Sequence, residues 1–227
     1  MKKTIIKLVD VWKTYKMGEV EVNALRGLNL EVRDGEFLAI QGPSGSGKST
    51  AMNLIGCLDI PTKGSIFLEN QDIAKLSESD LAQIRGKKIG FIFQQFNLIN
   101  TLSAMENVSI PLIFQGIPAS IREKRARDLL TKVGLGDRMY HKPKELSGGQ
   151  QQRVAIARAL SVNPEVILAD EPTGNLDSKT GSTVIDFLRD LNEKEGKTIV
   201  MVTHDDHLAK QARRIEYLKD GQIITKK

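Results

Sequence analysis

Cysteine and tryptophan are nearly absent from this chain, which has one of each among 227 residues. The single thiol, Cys57, cannot form an intramolecular disulfide, and such usage is typical of proteins from a reducing cytosol. No run of about 18 apolar residues free of charge occurs, so a membrane-spanning helix is not predicted. The first residues, MKKTIIKLVDVW, carry Lys7 and Asp10 within their apolar stretch. A secretory signal peptide is therefore not expected.

Charge of one sign is not concentrated in any part of the sequence. The composition is 40% hydrophobic and 27% charged, with a net charge of +5, which suits one soluble globular unit. The 33 basic side chains are scattered among 28 acidic ones, so a nucleic-acid-binding patch is not expected. The densest basic stretch, residues 122–127, is interpreted as the solvent-exposed face of a helix.

Strands and helices alternate along most of the chain. Apolar alternation and short apolar runs predict strands, and a period of about 3.6 residues predicts helices. The predicted strands are 4–11, 28–32, 36–41, 65–68, 89–93, 166–169, 198–202, 214–218 and 222–225; the predicted helices are 49–58, 105–133 with breaks at Gly116 and Pro118, 149–161, 178–193 and 206–213. This order indicates an α/β fold with a parallel sheet, interrupted by a mostly helical insertion.

Residues 42–49, GPSGSGKS, match the phosphate-binding pattern G-x-x-x-x-G-K-[ST] between a predicted strand and a predicted helix. Glycines let successive backbone N–H groups face a phosphate, and the helix start adds a positive dipole end. Lys48 is expected to reach the β- and γ-phosphates, and Ser49 to offer its hydroxyl to Mg²⁺. The predicted nucleotide-binding residues of this loop are Gly42, Pro43, Ser44, Gly45, Ser46, Gly47, Lys48, Ser49 and Thr50.

Polar side chains follow three further predicted strands. The apolar strand 166–169 runs into Asp170 and Glu171, of which the first can hold Mg²⁺ and the second can take a proton from water. His204 follows strand 198–202, and Gln94 follows strand 89–93 closely. Ligands of such sheets bind beyond the carboxyl ends of the strands, where Gly42 also lies. The position of Gln94 fits a ligand of Mg²⁺ or a contact to the attacking water, and equally a surface glutamine.

Residues 146–150, LSGGQ, place a glycine pair at the start of another predicted helix, without a lysine. With GPSGSGKS, ILADEP and the late histidine in this order, the chain closely resembles the nucleotide-binding subunit of ABC transporters over nearly all its length. The resemblance implies a P-loop NTPase (RecA-like) core with a parallel sheet, an N-terminal antiparallel β subdomain and an inserted helical subdomain. Residues 1–227 would form one ABC ATPase domain, with 1–96 and 161–227 as the catalytic core and 97–160 as the helical signature subdomain.

The resemblance also implies a role for each motif residue. ATP and Mg²⁺ would be the cofactors, with Mg²⁺ held by Ser49, Gln94 and Asp170. Ser147 and Gly149 would contact the γ-phosphate of an ATP bound by a second copy of the chain. The other implied residues are the signature residues Gly148 and Gln150, the Q-loop glutamine Gln94, the general base Glu171, the D-loop aspartate Asp177 and the switch histidine His204.

Finer sequence features resemble the MacB/LolD-type ATPases, namely IGCLD at 55–59 with Pro61-Thr62, FQQFNL at 93–98 and LSGGQQQR at 146–153. Those ATPases work with separately encoded permeases in lipoprotein release, macrolide or peptide export, or mechanical coupling across an envelope. The D-loop reads Gly-Asn-Leu-Asp, where Ser-Ala-Leu-Asp is commoner in the wider family. Tyr15 would match the aromatic residue that stacks on adenine, but Trp12 lies too near in sequence for the two to be separated.

The second glycine pair implies a homodimer with ATP at its interface. Backbone N–H groups at a helix start can bind the γ-phosphate, whereas a lysine there would hold ADP as well. The expected partner is an integral membrane permease, and the expected location is the cytoplasmic face of the inner membrane. Residues 96–114 fit a docking surface or the core of the subdomain. The alternative function is a soluble ABC ATPase acting on nucleic acid or the ribosome. Two features argue against it: each motif occurs only once in the sequence, and GPSGSGKS and LSGGQ lie too close together for a long coiled-coil arm between them.

Overall fold

The computed structural model describes residues 3–225 and divides at Arg85/Gly86 and Leu188/Arg189 into two compact units. The first unit comprises the segments before Gly86 and after Leu188, and the second unit comprises the segment between them. Each unit combines helices with strands, as predicted for an α/β protein. Within residues 3–225, no helix has the length and apolar character needed to cross a bilayer. The subdomain boundaries at 97 and 160 stay a prediction.

The first unit contains an antiparallel sheet with the strand order β2-β1-β4-β5. Strands β1 (Thr4–Met17) and β2 (Val20–Arg33) form a long hairpin, and β4 (Lys63–Leu68) and β5 (Gln71–Asp72) continue the sheet. This confirms the N-terminal antiparallel subdomain. Both hairpin strands are longer than predicted. The additional part of β2 was missed because it is mostly exposed and lacks a buried alternation.

The same unit contains the strand order β10-β9-β3-β8. Strands β3 (Phe37–Gln41), β8 (Thr198–Thr203) and β9 (Arg214–Lys219) are parallel, and β10 (Gln222–Ile224) is antiparallel to β9. Every residue of β3 and β8 is buried, which explains their nearly continuous apolar sequences. Helix α1 (Lys48–Ile55) follows β3.

Two helices differ from the predictions. Helix α7 (Asp206–Ala209) ends earlier than the predicted residue 213, because the Arg213 N–H donates to the Phe37 carbonyl as the chain enters β9 beside β3. Helix α2 (Glu78–Lys88) was not predicted, and it follows a short 3-10 turn at Ile73–Lys75. Only Leu81 of α2 is buried, so the sequence carries no apolar stripe from which a helix could be inferred.

The second unit pairs β6 (Ile89–Ile92) with β7 (Val166–Asp170) in parallel. Its helices α3 (Ala104–Phe114), α4 (Ala119–Lys132) and α5 (Gly148–Leu160) confirm the predicted helical insertion with breaks near Gly116 and Pro118. A 3-10 turn at Pro143–Glu145 precedes α5, and α6 (Ser178–Glu195) follows β7. The buried side chains of the three insertion helices include Val108, Leu112, Ala126, Leu130, Val154 and Ile156.

Candidate active site

The phosphate-binding loop joins β3 to α1 and is shaped by close contacts that only glycine permits. A β-carbon at Gly42 would lie 2.1 Å from the carbonyl oxygen of Leu218, and one at Gly47 would lie 2.4 Å from that of Ala24. Gly47 also has a φ of 99° immediately before α1, a left-handed conformation that favours glycine. Side chains at Gly42 and Gly47 would therefore collide with neighbouring backbone, and the loop forms a cradle that leads into the N–H groups of a helix start.

Lys48 is buried within this cradle. Its Nζ donates to the carbonyl oxygens of Gly42 and Pro43, at 2.8 Å each, which offsets the cost of removing an ammonium from water. The Ser46 hydroxyl is also buried and has no hydrogen-bond partner among residues 3–225. A phosphate oxygen would satisfy such a hydroxyl, so the loop residues fit the triphosphate of ATP. Ser49 is exposed and Thr50 half-buried at the start of α1.

His204 lies beside the phosphate-binding loop, as the parallel sheet requires. Strands β3 and β8 pair in register with Gln41 opposite Thr203, so Gly42 and His204 leave the sheet at the same edge. Both residues line a cavity of about 270 Å³ together with Pro43. The predicted proximity of Gly42 and His204 is confirmed, and the imidazole faces a space next to the predicted phosphate site.

Tyr15 lies on β1 and is held there by polar contacts. Its hydroxyl donates to Oδ2 of Asp59 at 3.0 Å, and Nζ of Lys13 lies 5.0 Å from its ring centroid. Lys13 also donates to Oδ1 of Asp59 at 2.5 Å. Burial raises the pKa of the Tyr15 hydroxyl. Burial also acts to raise the pKa of Asp59, but the hydrogen bonds from Lys13, the Ile60 N–H and Tyr15 outweigh it, so the Asp59 pKa is lowered.

Trp12 has different neighbours from Tyr15. Its Nε1 donates to Oδ1 of Asp10 at 3.0 Å, and its ring lies against Gly27. Tyr15, in contrast, lies near the hydroxyl of Thr50 on α1, which acts to lower the Tyr15 pKa against the effect of burial. Tyr15 therefore lies close to the helix that follows the phosphate-binding loop. Its stacking on adenine stays a prediction.

Asp170 and Glu171 lie at the carboxyl end of strand β7 in the second unit. Asp170 is the last residue of the strand, and Glu171 has a φ of 44°. A left-handed conformation costs about 1–2 kcal/mol for a residue with a β-carbon, and such strain often occurs at functional sites. The chain thus turns sharply at Glu171, and its carboxylate does not simply continue the alternation of β7. Both acids are partly exposed.

The loop after β6 packs on the D-loop in the same unit. Gln94 is exposed, and a β-carbon at Gly174 would lie 2.8 Å from its Nε2. The side chain of Asn175 donates to the Gln94 carbonyl oxygen at 2.9 Å. A side chain at Gly174 would therefore require the exposed Gln94 side chain to move aside.

LSGGQ forms the start of α5 by a capping box. The Ser147 hydroxyl accepts from the Gln150 N–H at 3.3 Å, and Oε1 of Gln150 accepts from the Ser147 N–H at 2.8 Å. A hydroxyl that accepts can still donate, so exposed Ser147 can contact an anion. Gly148 is partly exposed, whereas Gly149 is buried against Thr180. Asp177 caps α6 by accepting from the Thr180 N–H and hydroxyl, which lowers its pKa.

Two side chains of α5 that the sequence did not single out hold the neighbouring loops. Arg158 donates to the carbonyl oxygens of Phe96, at 2.9 Å, and of Asn97, and burial lowers its pKa. Gln152 is fully buried and donates to the Pro172 carbonyl oxygen at 2.6 Å. Their only sequence signal is a polar side chain within an apolar helix pattern.

The described residues contain no cluster of three or more histidine, cysteine, aspartate or glutamate side chains that could hold a metal ion. Ser49 in the first unit, and Gln94 and Asp170 in the second, carry oxygen ligands of the type that Mg²⁺ prefers.

Comparison with protein families matches residues 25–174 to the family described as ABC transporter. The chain belongs to this family. An ABC transporter ATP-binding protein of Thermotoga maritima is 53% identical over 221 residues, which cover 97% of this chain and 94% of that protein. The macrolide export ATP-binding/permease protein MacB of Wolinella succinogenes is 49% identical over 223 residues, covering 98% of this chain and 34% of MacB.

Solved structures agree with this ABC transporter assignment. The dimeric, post-hydrolysis ATP-binding cassette MJ0796, bound to ADP and Pi, has a TM-score of 0.90 and 53% identity, covering 98% of this chain and 97% of that one. The predicted fold class and family are thereby confirmed, and the chain is an ATPase of the ABC transporter family. The MacB/LolD-like subfamily is consistent with the MacB relative.

Proposed function

We propose that this ABC ATPase is a transport motor whose two copies close head-to-tail on two ATP molecules and drive a separate membrane permease. The observation that carries the proposal is that one chain has two helix starts suited to anions, of which only one has a lysine. Lys48 is the first residue of α1, at the first of these helix starts, and Ser147 caps α5 at the second. Each ATP would be bound by Lys48 of one copy and Ser147 of the other.

The proposed hydrolysis assigns a role to each predicted site residue. The buried Lys48 ammonium neutralises charge on the phosphates, and the Glu171 carboxylate takes a proton from the water that attacks the γ-phosphorus. The bond to the β-phosphate oxygen breaks, giving ADP and phosphate. His204 contacts the γ-phosphate, and Gln94 contacts the attacking water. Mg²⁺, held through Ser49, Gln94 and Asp170, would supply additional charge neutralisation.

Dimer closure depends on the γ-phosphate in this proposal. Hydrogen bonds to a charged group contribute on the order of 1.5–3 kcal/mol each, and a helix start adds about 0.3–1 kcal/mol. These contacts last only while the γ-phosphate, or the phosphate released from it, stays at the site, because the second site has no lysine to hold ADP alone. The MJ0796 cassette, dimeric with ADP and Pi, supports a dimer of this kind.

The second unit carries exposed apolar side chains suited to a permease. Phe114 is 86% exposed, and Ile113 and Ile121 are 50% and 57% exposed, at the end of α3 and the start of α4. Burial of such side chains against a partner is favourable. The proposal includes a location on the cytoplasmic face of the inner membrane and a MacB/LolD-type substrate class of lipoproteins, macrolides or peptides, which the MacB relative supports.

The Glu171→Gln variant tests the proposed chemistry. It keeps the shape of the side chain but cannot take a proton, so ATP binding should be retained and hydrolysis nearly abolished. Gel filtration with ATP should then show a stable dimer, whereas ADP should give a monomer. Hydrolysis near the wild-type rate would remove Glu171 from the role of general base. If Glu171→Gln instead stayed monomeric in the presence of ATP, the closure of two copies on ATP would be contradicted.

A further inference from the structure

The side-chain amide of Gln152 joins two loops of the second unit. Gln152 lies in the second turn of α5 and is fully buried. Its Nε2 donates to the Pro172 carbonyl oxygen at 2.6 Å and lies 3.4 Å from the Phe93 carbonyl oxygen. Pro172 comes directly after Glu171, and Phe93 comes directly before Gln94. One buried amide therefore holds the backbone next to both polar side chains.

The orientation of this amide follows from its partners. Both are carbonyl oxygens, which only accept, so the nitrogen of the amide must face them. The other amide atom, Oε1, is buried without a hydrogen-bond partner among residues 3–225. An unpaired buried oxygen is unfavourable, and an apolar side chain would avoid it. A glutamine at position 152, in place of an apolar side chain, is thus explained by the two N–H groups of its amide rather than by packing.

The backbone at Glu171 needs such support. With a φ of 44°, Glu171 is held in a left-handed conformation that relaxes unless its surroundings fix it. Strand β7 fixes the residue before it, and the Gln152 bond fixes the carbonyl after it. On the other loop, Arg158 holds the carbonyls of Phe96 and Asn97, so α5 contacts the chain on both sides of Gln94.

We infer that Gln152 is a positioning residue, which holds Glu171 and Gln94 in place for hydrolysis and links them to the signature sequence through α5. The inference rests on the proposed role of Glu171. Gln152 lies on the same helix whose first residues, Gly148 and Gly149, belong to LSGGQ. A displacement of α5 when LSGGQ meets the partner's ATP would therefore move the backbone that carries the general base of the same chain.

The Gln152→Glu variant tests this role. It keeps the size of the side chain but replaces the NH₂ group by an oxygen, so that at most one O–H remains to donate to the two carbonyls. Because misplacing a catalytic group by about 1 Å can cost on the order of 100-fold, we expect kcat for ATP to fall by roughly 10- to 100-fold. Affinity of the monomer for ATP should change less than about twofold, since no residue of the phosphate-binding loop is altered.

Gln151→Glu is the matched control. Gln151 is the preceding residue of α5, and its amide donates to the Leu146 carbonyl oxygen at 3.1 Å, away from both loops. Its kcat should stay within about twofold of the wild type. Equal losses of kcat in the two variants would overturn the inference. Should Gln152→Glu not fold, as judged by circular dichroism, Gln152→Met removes both donors without adding charge and carries the same expectation.

A double-mutant cycle separates positioning from general destabilisation. If Gln152 acts through Glu171, adding Gln152→Glu to Glu171→Gln should lower the residual single-turnover rate by less than about twofold. A further loss as large as that in the wild-type background would overturn the inference. The two proposals fail differently: wild-type kcat in Glu171→Gln removes the general base, whereas wild-type kcat in Gln152→Glu alone removes only the positioning role.

Discussion

Gly149 of the signature sequence lies so close to Thr180 that a β-carbon on the glycine would be 2.1 Å from Cγ2 of the threonine. Thr180 is itself fixed by Asp177, whose carboxylate accepts from the threonine N–H at 3.0 Å and from its hydroxyl at 2.6 Å. One threonine thus connects the D-loop aspartate with the signature glycine. The position of the second predicted anion site therefore depends on the capping of α6 as well as on α5.

Substitution of Gly149 should destabilise the monomer because this contact leaves no space. In Gly149→Ala, the methyl group must displace Thr180, and overpacking of this kind costs about 1–3 kcal/mol. Gly148→Ala is the matched control, since a β-carbon there meets its nearest neighbour, Phe96, only at 3.6 Å. Urea unfolding of the nucleotide-free protein measures both free energies. A Gly149→Ala variant as stable as Gly148→Ala would contradict the close packing.

The sequence predicted the parts of the site that local chemistry dictates. The loop before Lys48 and the helix start at LSGGQ each follow from a short pattern with its own mechanism, whereas the cap formed by Ser147 was not predicted. Three consecutive glutamines show where such prediction ends: Gln150 caps α5, Gln151 bonds to Leu146, and Gln152 bonds to Pro172. Sequence cannot distinguish these glutamines, because their roles depend on which loops surround each side of the helix.

The fold shows the same limit. Strands β3 and β8 were predictable because burial on both faces requires continuous apolar runs. Helix α2 was not, because a helix that buries only Leu81 has no apolar stripe. The end of α7 was not predictable either, since it depends on the hydrogen bond between Arg213 and Phe37, two residues far apart in sequence.

Acid should destabilise the protein partly through Asp59. Its folded pKa is lowered by the bonds from Lys13, the Ile60 N–H and Tyr15, although burial opposes them. A lowered folded pKa means that the stabilisation is present above the unfolded pKa, about 3.9, and is lost as the pH falls through the folded pKa. Asp59→Asn should therefore lower the free energy of unfolding at pH 6, and the difference from wild type should shrink towards pH 3. Thermal unfolding at several pH values measures this, and a difference independent of pH would contradict it.

Tyr15 and Trp12 should contribute differently to ATP binding. Stacking of a base on an aromatic ring is worth about 1–3 kcal/mol, so Tyr15→Ala should raise the Kd for ATP by roughly 5- to 100-fold. Trp12→Ala should change it less than about twofold, because that ring lies against Gly27 and Asp10 rather than Thr50. Titration calorimetry measures both values. The reverse order of effects would transfer the stacking role to Trp12.

A bulky cation at Ser147 should block dimerisation without affecting the phosphate-binding loop of the same chain. In the Glu171→Gln background, Ser147→Arg should bind ATP as a monomer with wild-type affinity and fail to form the dimer in gel filtration. The substitution also removes the cap of α5, which costs about 1 kcal/mol and leaves a folded monomer. Ser147→Asn keeps a capping side chain without the bulk or the charge, so its dimer should persist. Loss of ATP binding by the Ser147→Arg monomer would contradict contact in trans, because Ser147 would then serve the site of its own chain.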